Sequence, residues 1–292
     1  MVRYNPTVLE RPSSINEAAQ LLKKWGSKAR IVAGNTTIYE LANQGGLDDV
    51  DTVIDLSKLN LNYITRYDGS LHIGAMTRFV ELASSNLTGN DSYFAAKEAA
   101  MKLTPPQIRN MATIGGSACS GIPFYDMPVT LLAIDAEFHA TSSDEGERTI
   151  KAEDFFIDYF VTTLRAEELL TEIVCPNKER SSSSFVKLGR TTIDFALVNA
   201  AVNITLEPKR NRMSEVRIAL GAVAATPIRA KSAEDFLIGQ EPSRENIIKA
   251  ASLGLDFEPS PSLHASSKYK KRVIPILVRD ALFAAVNRVL RT

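Results

Sequence analysis

The chain has 292 residues, with 34 Lys and Arg balanced by 34 Asp and Glu, 45% apolar residues and 23% charged ones. That length exceeds a typical domain of roughly 100 to 200 residues and leaves room for two, the composition is that of a globular protein, and the even charge argues against a nucleic-acid binder, which carries a basic excess or stripe. No run approaches the roughly 18 apolar residues of a membrane span, and Met1-Val2-Arg3-Tyr4-Asn5-Pro6 lacks the charged-then-apolar layout of a secretion signal, so a cytoplasmic protein is expected.

Ser14-Ile15-Asn16-Glu17 is a capping-box pattern, and Ala18, Leu21, Leu22 and Trp25 follow at helical spacing, so a helix should end near Gly26. A strand at Arg30 to Ala33, a helix at Ile38 to Ala42 and a strand at Thr52 to Leu56 complete an αβαβ unit. A second unit opens with a strand at Ser70 to Ala75 and continues with helices at Arg78 to Ala83 and Tyr93 to Leu103, where Pro105-Pro106 breaks the pattern. Pro128 suits the first turn of a helix through Leu132. Glu137 to Ala140 reads as a strand, Phe155 to Thr163 as a helix, and Leu169 to Val174 as a strand closed by Pro176. Asn177-Lys178-Glu179-Arg180 and four serines then form a polar stretch, the best place for a domain boundary or mobile loop. Beyond it Val198, Ala200, Val202, Ile204 and Leu206 alternate on one face of a strand that can pair with Val216 to Val223 across a turn near Asn211. Helices at Ala233 to Ile238, Arg244 to Leu253 and Tyr269 to Leu290, the last kinked at Pro275, finish a small antiparallel sheet with a helical layer.

Two glycine loops are the candidate functional elements. Ala33-Gly34-Asn35-Thr36-Thr37 sits where a strand gives way to a helix, so its unpaired N–H groups and the helix's positive end favour a phosphate; a plain turn with a helix cap is the competing reading. Thr113-Ile114-Gly115-Gly116-Ser117 can turn consecutive N–H groups toward one anion, or can be a flexible hairpin. Two such loops in adjoining units suggest a diphosphate gripped from both sides. Asp126 either accepts ligand hydroxyls or caps the helix at Pro128. Lys187 could stabilise negative charge on a bound ligand, or be an ordinary solvated strand lysine. Cys119 and Cys175 read as small buried apolar residues, and with His72, His139 and His264 scattered along the chain, no disulfide, iron–sulfur or catalytic metal site is expected.

The order of motifs resembles the medium, FAD-binding subunit of the molybdenum hydroxylases, the family of carbon monoxide dehydrogenases, xanthine dehydrogenases and aldehyde oxidoreductases. The resemblance is carried by Ile31-Val32-Ala33-Gly34-Asn35-Thr36-Thr37, His72-Ile73-Gly74-Ala75, Gln107-Ile108-Arg109-Asn110-Met111-Ala112-Thr113-Ile114-Gly115-Gly116, Phe185-Val186-Lys187, Asp194-Phe195-Ala196, Gly221-Ala222-Val223 and Tyr269-Lys270-Lys271-Arg272. It implies an α+β chain: a two-part FAD-binding domain of the vanillyl-alcohol oxidase type at 1–176, divided near residue 56, and a C-terminal domain at 177–292 with an antiparallel sheet and helices. The site residues it implies are Ile31, Val32, Ala33, Gly34, Asn35, Thr36 and Thr37 from the first loop. The second supplies Ala112, Thr113, Gly115, Gly116, Ser117 and Ser120. Asp126 would take a flavin hydroxyl, Leu170 would pack near the ring, and Lys187 would approach its pyrimidine side. Ser117 stands where the family usually has Asn, and neither loop carries a histidine, so FAD is expected without a covalent link.

The function implied is electron transfer from two-iron two-sulfur clusters of a small partner subunit, through FAD, to an external acceptor. A large partner subunit would hold the molybdenum cofactor, in a dimer of heterotrimers, and no catalytic or metal-ligating residue is expected in this chain. The alternative is a stand-alone FAD-dependent reductase or oxidase on the same fold.

Overall fold

A computed structural model describes residues 6–291 except Asn90 and Arg210. Met1 to Asn5, read above for a secretion signal, lie outside the described residues. The first unit is a parallel sheet in the order Val8–Glu10, Thr52–Asp55, Ala29–Val32, linked by helices Ile15–Trp25 and Thr36–Asn43. The strand Val8–Glu10 precedes the expected αβαβ unit. Ser14 caps the first helix by accepting from Glu17 N–H, and Gly26 ends it at φ 51°.

The second unit is antiparallel, in the order Ile64–Tyr67, Ser70–Gly74, Leu169–Pro176, Glu137–Ser142, Gly146–Lys151. Its first hairpin turns at Asp68 and Gly69, both at positive φ, as a two-residue turn matching strand twist requires. Helices Phe79–Ser84, Phe94–Lys102 and Asp126–Ala133 supply much of the core against this sheet, around Leu71, Ile73, Phe138 and Ile173. The helix Phe94–Lys102 stops before Pro105-Pro106, as expected, and Pro106 then begins a separate helix, Pro106–Met111, where its missing N–H costs nothing. Phe155 to Thr163 is not a helix. Ala152–Phe155 is one turn, and the chain then folds into a hairpin, Phe156–Asp158 against Val161–Thr162, because Phe160 takes a left-handed φ of 60° and its N–H donates to Gly121 O at 3.0 Å.

The third unit is the antiparallel sheet Ser181–Leu188, Val198–Leu206, Met213–Gly221, Ile228–Arg229, backed by helices Lys231–Leu237, Arg244–Leu253 and Ser267–Val289. Val198, Ala200, Val202, Ile204 and Leu206 face these helices as their alternation requires. The opposite face meets Phe94–Lys102 and Asp126–Ala133, and there Ala201 and Ala219 join the core of the second unit. The four serines are therefore no mobile loop: Ser181 to Ser184 form the start of a strand covered on both faces and are buried. Small side chains suit a strand that helices approach from two sides. Arg288 closes this arrangement. Its guanidinium donates to Glu98 Oε1 at 2.9 Å and lies 3.9 Å from the Phe94 ring centroid, while Glu98 Oε2 accepts from Phe185 N–H at 2.8 Å. The last helix runs unbroken through Pro275.

Candidate flavin site

The first loop leaves the parallel sheet after Val32 and enters helix Thr36–Asn43 through Asn35, which takes a left-handed φ of 61° and makes no side-chain cap. The first-turn N–H groups of Thr36, Thr37 and Ile38 thus have no acceptor within the helix, and the partial positive charge of its end is uncancelled. Ile31, Val32, Ala33 and Gly34 are only half-buried, although the first three are apolar.

Gly34 brings the two loops into contact. A Cβ at this position would lie 2.0 Å from Met111 O and 2.9 Å from Ala112 Cα, so only glycine lets the backbones meet. The second loop is neither a hairpin nor an open anion nest. Thr113 caps the short helix Ile114–Cys119 by accepting from Gly116 N–H at 3.1 Å. Ile114 N–H donates to Thr77 O at 2.9 Å and Gly115 N–H to Ala75 O at 3.0 Å. These three donors are taken up by the protein itself. The glycines serve close approach instead: a Cβ on Gly115 would come 2.6 Å from Ala75 O. Ser117, 8% exposed, donates its N–H to Thr113 O, and Ser120 Oγ donates to Ser117 O at 2.8 Å. The Ser117 hydroxyl itself has no protein partner among the described residues.

Asp126 is the first residue of its helix, with Tyr125 at the cap position. Its carboxylate does not cap; it accepts from Lys187 Nζ at 2.7 Å and Asn199 Nδ2 at 2.9 Å. Lys187 also donates to Lys102 O at 3.3 Å. The two side chains are only 10% and 8% exposed, which rules out a solvated lysine. Burial pushes the Asp126 carboxyl above its ordinary value, against the downward pull of Lys187 and Asn199. One residue earlier, the Tyr125 hydroxyl lies 3.1 Å from Thr37 Oγ1, and its ring stacks on Phe195 at 5.7 Å and 24°. A continuous path therefore runs from the first loop through Tyr125 and Asp126 to Lys187. Leu170, 3% exposed, belongs to the second unit's core; its neighbour Thr171 O accepts from Ala75 N–H at 3.0 Å, which ties the strand to the second loop.

Tyr125 and Asn199 are absent from the sequence expectation. Asn199 was detectable as one of two asparagines, with Asn203, in a largely apolar strand; Tyr125 carried no comparable signal. Cys175 is buried as expected, and desolvation pushes its thiol up to about 12, whereas Cys119 is exposed to solvent. The buried thiol is not poised as a nucleophile. Two of the scattered histidines do meet: His72 Nδ1 and His139 Nδ1 lie 3.0 and 3.4 Å from Glu172 Oε2. Among the described residues no group of three or more such side chains could hold a metal ion, and no helix is long and apolar enough to cross a membrane.

Residues 4–178 match the family model for the FAD binding domain in molybdopterin dehydrogenase, and residues 183–285 match that for the CO dehydrogenase flavoprotein C-terminal domain. Fold and sequence together define a FAD-containing subunit of a molybdenum-dependent oxidoreductase. The chain is 32% identical over 278 residues to the 6-hydroxypseudooxynicotine dehydrogenase complex subunit alpha of Paenarthrobacter nicotinovorans, covering 94% of this chain and 93% of that one. It is 31% identical over 280 residues to the carbon monoxide dehydrogenase medium chain of Hydrogenophaga pseudoflava, covering 95% and 96%. The fold superposes on reconstituted CO dehydrogenase from Oligotropha carboxidovorans with a TM-score of 0.91 at 29% identity, covering 99% of this chain and 100% of that one. The chain belongs to the FAD-binding medium subunits of the molybdenum hydroxylase family.

Proposed function

We propose that this chain holds one FAD non-covalently between Ala33 to Thr37 and Ala112 to Ser117, and relays electrons within a cytoplasmic complex. In this reading a small partner subunit's two-iron two-sulfur clusters deliver the electrons, and an external acceptor removes them. A large partner with the molybdenum cofactor transforms the substrate, and the assembly is a dimer of heterotrimers. The division between the two domains falls near residue 177.

The observation that carries the reading is the contact at Gly34, which joins two loops from different units where a Cβ would meet Met111 O at 2.0 Å. The chemistry present fits a dinucleotide. First-turn N–H groups of Thr36–Asn43 and the helix's positive end favour the pyrophosphate, and the Ser117 hydroxyl is available to bond. Bound FAD supplies reversible electron acceptance, which no side chain can provide. Ser120, Asp126, Leu170 and Lys187 complete the site. The Lys187 ammonium is buried and close to Asp126, so the pair offers a cation whose field is moderated by its own counter-charge. No residue of the chain acts as acid, base or nucleophile.

Co-expression with the partner subunits, followed by flavin absorbance and metal analysis, tests this. Flavin, molybdenum and iron in one stable complex support it. A chain that takes up no FAD even with its partners overturns it, and substrate-dependent bleaching of flavin in the isolated chain would favour a stand-alone reductase or oxidase.

A further inference from the structure

Lys270 is a buried cation that the site just described leaves unused. It lies in the first turn of the last helix, 2% exposed, and its ammonium donates to the Ala222 carbonyl oxygen at 2.5 Å. Stripping an ammonium of water is unfavourable, and desolvation accordingly lowers the Lys270 pKa from its ordinary value. A methionine of similar length would fill the same space without that cost, so what lysine adds here is the bond to Ala222.

Ala222 is an unusual residue to hold. It takes a left-handed φ of 59°, a conformation that disfavours any side chain. Its N–H donates to Pro123 O at 2.8 Å. The preceding Gly221 is pressed so closely that a Cβ would come 2.2 Å from Val129 Cγ2 and 2.3 Å from Asn199 Oδ1. The strained turn therefore abuts the segment Pro123 to Asp126, whose Tyr125 reaches Thr37 and whose Asp126 reaches Lys187.

We propose that Lys270 is a positioning residue of the flavin site: by holding the Ala222 carbonyl it fixes the Gly221–Ala222 turn, whose N–H in turn sets Pro123 and so places Tyr125 and Asp126. This rests on the FAD reading above. It gives the C-terminal domain a second part, besides Lys187, in a site whose loops lie in the other two units, through a donor more than 80 residues from any loop that would touch FAD.

The test uses the full chain assembled with its partners and stripped of FAD, titrated with FAD for affinity and measured for flavin midpoint potential and visible circular dichroism, with Tm followed in parallel. Lys270→Met should weaken FAD binding by about tenfold or more and alter the flavin band, while Lys270→Arg restores both. A purely structural lysine would lower Tm and leave the affinity and flavin band of the folded fraction unchanged, and that result overturns the proposal. Should Lys270→Met not fold, the same titrations are made with Lys270→Met in an Ala222→Gly background, where glycine relieves the strained φ and favours folding, and loss of the lysine's hold on the turn should still weaken FAD binding relative to Ala222→Gly alone. Equal FAD binding by that double variant and by Ala222→Gly alone, with an unchanged flavin band, would again overturn it. If the unmutated complex takes up no FAD, the FAD reading fails first, and the two failures are distinct.

Discussion

Replacing Gly34 with alanine adds a single methyl group at the meeting point of the two loops. That methyl carbon would start 2.0 Å from Met111 O, 2.8 Å from Met111 C and 2.9 Å from Ala112 Cα. All three are backbone atoms, so no side chain can swing aside. Bringing the closest pair out to 3.0 Å requires a separation of about 1 Å between the loops, and overpacking of that kind costs about 1–3 kcal/mol. The Met111–Ala112 side cannot yield freely, because Ala112 N–H donates to Ile108 O at 2.7 Å and Ala112 O accepts from Phe79 N–H at 3.0 Å. For a chain of this size each kcal/mol shifts Tm by about 2–4 °C, so a fall of about 2–12 °C is expected. FAD affinity should fall as well, since the displacement opens the gap the cofactor would bridge. Scanning fluorimetry and FAD titration read the two effects. Gly254→Ala is the control, because its methyl would meet only Ala230 Cβ and Ala251 O, both at the ordinary distance of 3.7 Å. A Gly34→Ala chain with the parent's Tm and FAD affinity would show that the loops are not held in contact.

Three further outcomes are expected of the buried polar groups. Lys187→Met leaves the Asp126 carboxylate buried without its cation and should destabilise the fold by about 3 kcal/mol in urea denaturation, while adding Asp126→Leu should recover much of that loss. Glu168, its side chain only 2% exposed, accepts from Arg148 Nε at 2.6 Å and Nη2 at 2.8 Å; the Arg148 hydrogen bond holds its carboxyl below the ordinary 4.5 despite opposing burial. A depressed carboxyl stabilises the fold above its unfolded value and loses that contribution as pH falls through the folded one, so the Tm advantage of the parent over Arg148→Met should shrink as pH falls below 4.5. Among the described residues the Ser182 and Ser184 hydroxyls are buried without hydrogen-bond partners, so alanine at either should be neutral or slightly stabilising, whereas Ser183→Ala should cost about 1–3 kcal/mol by stranding the Ala95 N–H that Ser183 Oγ accepts at 2.9 Å.

The residues that announced themselves in sequence are those whose constraint is local. Ser14 with Glu17 and the strand alternation from Val198 to Leu206 depend on neighbours within a turn or a pleat, and each sits where its pattern places it. Burial of Ser181 to Ser184 does not. It arises from helices that begin at Phe94 and Ser267, and nothing in four consecutive serines announces such coverage. Phe155, Phe156, Tyr159 and Phe160 mimic one helical stripe, but the left-handed Phe160 turns them into a hairpin anchored on Gly121. At the second loop, the adjacent glycines suggested free N–H groups turned toward an anion, and the structure shows another use. Gly115 and Gly116 lend their N–H groups to Ala75 and Thr113, and their missing side chains matter more than their donors. Tyr125 was invisible because its partner Thr37 is 88 positions away.

The Arg288 clasp on Phe94 and Glu98 bears on how the chain is made. Its two ends are 190 positions apart. At about 5–20 residues per second, a ribosome needs about 10–40 seconds to travel between them. For that interval the helix Phe94–Lys102 has emerged without the strand and terminal helix that cover its far side, and its apolar surface must be screened by other means. Fragments cut at the seam between the two family models would prolong that state indefinitely, since Phe185, Ala201 and Ala219 complete the core of the preceding unit. The seam is a boundary between motifs, and buried side chains pack across it.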